Sequence, residues 1–288
     1  MESDLDYLSR EHEFISIADF LSHRNHSDKG GKRKIVLTFD DGYSEVSEIV
    51  QPILLRKGIP AAIFLTSGFL DNKELYFRCK LSIIRDELDR NPNSINKLKQ
   101  SCDKYPELVT HNCDIFKLLR AIKYTDSVLI DAIAKDIGID FREYLSTYKP
   151  YLTSEQVQSM IHNGFEIGAH SIDHPFFGRI NPEEQLTQSL TSLADIQQRF
   201  NLAYRYFALP HSDSGISGQF YRKMLNQTDI ILGGYGSGSY PDYHYYRRFS
   251  IEKYSIDTHS AWLIERWKVA WKEWLEGRHV LSVKGNHP

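Results

Sequence analysis

Cysteine is scarce in this chain: three in 288 residues, Cys79, Cys102 and Cys113, with no CxxC pair and none near the histidines at 170 and 174. That excludes a zinc knuckle or a disulfide framework and fits free thiols in a reducing cytosol. Long hydrophobic runs are absent too, so no segment reaches the roughly 20 apolar residues of a membrane-spanning helix. The acidic start, MESDLDYLSREHEF, lacks the basic and apolar stretches of a secretory signal, so a cytoplasmic protein is expected. There is no excess of positive charge: the formal net charge is -3, with 25% charged and 41% hydrophobic residues, so nucleic acid is not an expected partner. No internal repeat or low-complexity tract is present, and the length suits one large domain spanning residues 1–288.

What is present is an alternation of short β-rich runs and helical stretches. The runs are KIVLTFDDG (34–42), AAIFLTSG (61–68), GFEIGAH (164–170), RYFALP (205–210), DIILGG (229–234) and YYRRFSIE (245–252). Most are continuously apolar, the pattern of strands buried on both faces. Between them, residues 44–57 place Val46, Ile49, Val50, Ile53 and Leu54 on one helical side before Gly58, a C-cap. Thr153 opens another helix with Gln156 three residues on, and Pro182 opens a third ahead of Glu183. Alternating β and α units imply a parallel sheet or barrel. Residues 71–149 break the alternation: Leu81, Ile84 and Leu88, then Leu129 and Ile133, recur at helical spacing with little strand signal. This predicts a mostly helical insertion on a strand-to-helix connection, serving as a lid, a dimer surface or a substrate selector.

Parallel barrels deliver catalytic residues at the C-terminal ends of their strands. The first run ends in Asp40-Asp41-Gly42, adjacent carboxylates that call for a compensating cation unless they merely form a turn. The third run ends at His170, and His174 lies four residues on. Two neutral imidazoles and one carboxylate form a ligand set for zinc or a similar divalent metal, with room left for water and substrate. The second carboxylate then remains as a base.

TFDDG at 38–42 and HSIDH at 170–174 resemble the first two motifs of the polysaccharide deacetylases, the NodB-like carbohydrate esterases of family four. The blocks IVLTFDDGYSEV, GIPAAIFLTSGFLDN, YLTSEQVQSMIHNGFEIGAHSIDHP and YRYFALPHSD follow the family's order across most of the chain. The resemblance implies an α/β fold, a distorted (β/α)7-type barrel, with the helical insertion added. It implies Asp40 as general base, Asp41, His170 and His174 as ligands of a divalent metal (zinc, with cobalt, manganese or nickel as alternatives), and Ser171 as the residue that steadies the loop. Pro210 matches the third-motif proline, and the backbone N–H of His211 takes an oxyanion-hole place. The chain departs from the family where many members have an arginine, here Ala208, and where a tyrosine is frequent, here His211; a C-terminal Leu-x-His is absent. His211 is therefore the expected general acid, ahead of His244 and His259. Ala208 and the tract YYRRFSIE resemble the FAYP-type subgroup linked to exopolysaccharide synthesis, which assigns Arg248 a supporting place.

The resulting expectation is an N-deacetylase acting on an acetamido sugar or glycan during surface polysaccharide assembly. An amidase or deformylase of a non-acetyl substrate and a catalytically weak glycan-binding homologue are the alternatives. SAWLIERWKVAWKEWLEG contains all four tryptophans and places Leu263, Trp267, Trp271 and Trp274 on one face. Such a helix packs on its own domain or, as a second option, lies on a membrane surface. The glycines from Gly233 to Gly238 lack the lysine of a phosphate loop and fit a rim.

Overall fold

The apolar runs fold into parallel strands. The computed structural model describes residues 1–22, 32–100, 104, 114–211 and 215–233, together with the backbone of the strands within 245–250 and 282–284. The strands are β1 (His12–Phe14), β2 (Arg33–Phe39), β3 (Ala61–Leu65), β4 (Glu166–Ala169), β5 (Tyr206–Ala208), β6 (Ile230–Leu232), β7 (Tyr245–Tyr246), β8 (Arg248–Ser250) and β9 (Ser282–Lys284). These strands pair in parallel, in the order β7-β6-β5-β4-β3-β2-β9-β8, and β1 joins the lower end of β2. The two ends of that path, β7 and β8, are one residue apart in the chain, so the ladder curls back to the segment where it began. This is the expected distorted β/α barrel. The run YYRRFSIE, read as one strand, serves two neighbours: Tyr245–Tyr246 pairs with β6 and Arg248–Ser250 with β9.

Side-chain parity separates two cores. Ala61, Ile63 and Leu65 pack with Leu54, Met160, Ile196 and Phe220 of the surrounding helices. Ala62 and Phe64 pack with Val36, Tyr206, Ala208, Ile230 and Leu232 inside the barrel. Gly168 lies opposite Phe64, where a Cβ would come within 2.4 Å of the phenyl ring, so the ring fills the space that a side chain on β4 would take. The lower end of the barrel is plugged by residues the sequence reading passed over. Ile15 and Ile17 join the inner core, and Glu166 accepts hydrogen bonds from the Ile17 and Ala18 N–H groups at 2.6 and 2.8 Å. Glu166 thereby anchors the short Ile17–Ser22 helix through its first N–H groups.

The helix expected over 44–57 is split. Val46–Val50 is π-helical and only Gln51–Lys57 is α-helical, ending at Gly58 with φ 62. Pro52 has no N–H to give to the carbonyl four residues back, and the wider turn absorbs that gap. The added residue rotates the apolar face, so Val46 and Leu54 are buried while Ile49 is 57% exposed. The other two helix starts are as expected. Thr153 and Gln156 form a reciprocal capping box, and Asn181 caps the Pro182–Phe200 helix with Pro182 in its first turn.

The chain divides into two compact units, residues 1–71 with 151–288, and residues 72–150. The second unit contains the helices Phe77–Arg90, Pro92–Gln100, Ile115–Ala121, Ser127–Ile137 and Phe141–Tyr148 around a core that includes Ile84, Leu88, Leu98, Leu118, Ile130 and Ile133. Lys80 is buried there, paired with Glu74 at 3.0 Å and Asp131 at 2.9 Å and lying over the Phe141 ring. Where the barrel chain leaves and returns, Asp71 accepts hydrogen bonds from the Ser154 N–H and hydroxyl and from Arg199.

Candidate metal centre

Four polar side chains converge above the C-terminal ends of β2 and β4. His170 Nε2 lies 3.3 Å from Asp40 Oδ2 and 3.4 Å from Asp41 Oδ1. His174 Nε2 lies 3.1 Å from Asp41 Oδ1 and 3.1 Å from His170 Nε2. His170 is wholly buried, and Asp40 and His174 are each 7% exposed.

The proton on His170 is fixed by its other nitrogen. Nδ1 lies 2.8 Å from the Ala208 carbonyl, which can only accept, so the neutral ring carries its proton there. Nε2 then presents a lone pair toward the His174 nitrogen and two carboxylate oxygens. Burial opposes ionisation of Asp41, and it takes positive charge beside it, as on His174 and His170 when they are protonated, to hold its carboxyl well below the usual carboxylate range. A buried cluster made of acceptors needs a cation. Asp41, His170 and His174 meet that need for a metal: one ligand atom from each lies within 4.8 Å of the others. Two ligands at about 2.0–2.1 Å from a tetrahedral ion sit roughly 3.3 Å apart, close to the separations of this set.

The loop that carries the histidines is held at every turn. Ser171 Oγ accepts from the His174 N–H at 3.0 Å. Ser67 N–H bonds Ser171 O at 3.1 Å, and Gly68 N–H bonds Ile172 O at 2.7 Å. A Cβ at Gly68 would stand 2.6 Å from that oxygen, so the close approach requires glycine. Asp41, Ser171, His174 and His211 all have φ between 53 and 71, a left-handed backbone that non-glycine residues adopt at a cost of about 1–3 kcal/mol each. That half of the eight such residues described belong to one site marks it as a place where position outweighs local comfort.

Residues 27–228 match the family model described as polysaccharide deacetylase. The chain belongs to the polysaccharide deacetylase family. Two solved structures share the fold of this deacetylase-family chain. The BpsB deacetylase domain from Bordetella bronchiseptica is 14% identical, with 99% of this chain and 85% of that chain covered and a TM-score of 0.51. A de-N-acetylase from Aggregatibacter actinomycetemcomitans is 15% identical, with 85% and 80% covered and a TM-score of 0.51. No curated protein matches the chain. Among the described residues, no helix is long and apolar enough to cross a membrane.

Asp40, Asp41, His170 and His174 thus meet in one cluster of the deacetylase barrel. The His211 ring stands edge-on to that of His174, with centroids 4.3 Å apart, and Phe176 flanks it at 5.7 Å. Pro210 is buried just past β5. Arg248 lies at the start of β8, and nothing is described of its side chain. His244, His259, the tryptophan-rich tract and the glycines from 234 onward lie outside the described residues. One contributor escaped the sequence reading: buried Gln188, on the Pro182–Phe200 helix, accepts from the Ile172 N–H at 3.1 Å and the Asp173 N–H at 3.3 Å. Its only sequence signal is a glutamine on the inner face of an amphipathic helix.

Proposed function

We propose that this chain is a metal-dependent hydrolase that removes N-acetyl groups from an acetamido sugar or glycan during surface polysaccharide assembly. The observation that carries the reading is the buried convergence of two imidazole Nε2 atoms and two carboxylates, with the His170 proton turned away to Ala208. Asp41, His170 and His174 hold the cation, with zinc as the first choice and cobalt, manganese or nickel as alternatives. When bound, the ion supplies Lewis acidity to the acyl oxygen and makes water more acidic.

The chain's own residues do the remainder. Asp40, not needed as a ligand, accepts the proton of the water that attacks the amide carbon. The backbone N–H of His211, just past Pro210, donates to the oxyanion that develops on the acyl oxygen. The His211 imidazole, beside His174, gives a proton to the departing amine. Arg248 supports the site from β8. A protein that only bound glycans would need the ligands but not a buried carboxylate such as Asp40 beside them, and this favours the hydrolase reading. Membership of the polysaccharide deacetylase family supports a carbohydrate amide as substrate.

The test is acetate release from a panel of nucleotide-linked and oligomeric N-acetyl sugars by the metal-reconstituted protein, with Asp40→Asn as blank. Release that requires Asp40 supports the reading and names the sugar class. No release from any member, with metal bound, points instead to a non-acetyl amide or to a binding protein.

A further inference from the structure

Thr66 follows β3 directly, and its hydroxyl oxygen is enclosed without a hydrogen-bond partner among the described residues. The residue is 1% exposed. A buried hydroxyl left unpaired costs about 1–3 kcal/mol, so its position needs a reason.

The sheet register shows where the hydroxyl stands. Leu65 is level with Ala169, and the ladder continues one residue further through the bond from the His170 N–H to Leu65 O at 2.8 Å. Thr66 is therefore level with His170. On its other side the Thr66 N–H reaches Asp41 O at 3.5 Å. Parity places Ala62 and Phe64 inside the barrel, and Thr66 continues that series above the Phe64 ring. Asp40 and His170 continue the inward series of their own strands, Val36 on β2 and Gly168 on β4, so Thr66, on the strand between them, stands level with His170 and one inward position above Asp40 at the barrel mouth.

We infer that Thr66 is a further contact to the attacking water, an inference that rests on the hydrolytic reading of the site. Such a water gives one proton to Asp40 and turns one lone pair to the amide carbon. Its second O–H needs an acceptor. The two Nε2 atoms are committed to the cation, whereas Thr66 Oγ1 is an inward-facing acceptor at the same level with no other described duty. A hydrogen bond from the water to Thr66 fixes its rotation and so the direction of attack, an effect on orientation rather than on substrate affinity.

The experiment compares wild type, Thr66→Val, which keeps the shape and removes the hydroxyl, and Thr66→Ser, which keeps the hydroxyl. Thr66→Val is expected to lower kcat about 10- to 100-fold with KM within twofold. Its cobalt(II) affinity and melting temperature are expected to equal or exceed those of wild type, and Thr66→Ser to recover most of kcat. A wild-type kcat in Thr66→Val, a loss that Thr66→Ser does not recover, or a lowered melting temperature in Thr66→Val would each overturn the inference; the last would assign the hydroxyl to a structural bond. Acetohydroxamate binding to the cobalt-loaded proteins provides a second readout if the wild type hydrolyses none of the sugars tested. A roughly tenfold weaker affinity in Thr66→Val, restored in Thr66→Ser, keeps Thr66 at the reacting position while the deacetylase reading fails. Equal affinity in all three overturns the role of Thr66 itself.

Discussion

The His170 ring donates a hydrogen bond from Nδ1–H to the Ala208 carbonyl across 2.8 Å, and this one bond determines what the opposite nitrogen can do. β5 contributes no side chain here; its backbone alone sets the tautomer of the residue just past β4. The arrangement is of the kind in which an outer partner orients a metal-ligating imidazole.

Asp40 and His174 both face His170 Nε2, at 3.3 and 3.1 Å, but have separable duties. Asp40→Asn is expected to lower kcat by at least about 100-fold, the scale of general-base catalysis, while cobalt(II) titration gives wild-type stoichiometry. His174→Ala is expected to lose both turnover and tight metal binding. Unchanged turnover in Asp40→Asn would remove Asp40 from the mechanism.

Gln188 ties the Ile172 and Asp173 N–H groups to a helix that carries no ligand. Gln188→Leu leaves both donors without their acceptor and frees the segment between the two histidines. Metal affinity is expected to fall about 10- to 100-fold, the usual cost of removing an outer support. Competition against a chelator would show this, and wild-type affinity would reduce Gln188 to a packing residue.

The barrel interior makes its own prediction at Gly168. An added methyl group would meet the Phe64 ring at 2.4–2.5 Å and the Tyr206 carbonyl at 2.9 Å. Gly168→Ala is expected to destabilise the protein by about 1–3 kcal/mol, as overpacking of a filled core does. Phe64→Leu in the same chain should recover part of the loss in urea denaturation. No shift in midpoint for the single variant would show that the two strands can part freely.

Glu166 gives a pH dependence of definite sign. Burial raises its pKa above the ordinary glutamate value of 4.5, only partly offset by the Ile17 and Ala18 N–H groups. The folded protein therefore holds this proton more tightly than the unfolded chain. The associated stability is fully present below about 4.5 and is lost as pH rises through the higher folded value. The stability of wild type relative to Glu166→Gln should accordingly decline with rising pH across that window. A difference that instead grows with pH would mean that the two N–H bonds outweigh burial.

The sequence was most legible where chemistry and strand ends coincide. Asp40-Asp41 and His170-x-x-x-His174 stand at the ends of apolar runs, and those runs are strands. Periodicity was a poorer guide at residues 44–57, because it assumes a uniform helix and Pro52 imposes a π-turn that moves Ile49 outward. The N-terminal plug was hidden for another reason: β1 has three residues and the following helix six, too few for any period to emerge. Gln188 and the Ala208 carbonyl could not be read at all. Their roles arise from neighbours 15 to 38 residues away in the chain, and a backbone oxygen leaves no trace in residue type.

The central claim, that the Asp41–His170–His174 cluster holds the ion on which deacetylation depends, is tested most directly by titrating metal-stripped protein with zinc while following acetate release. The account predicts no release without metal, recovery that saturates at one equivalent, and no recovery in His174→Ala. Full release from the stripped protein, or equal recovery in His174→Ala, would contradict it.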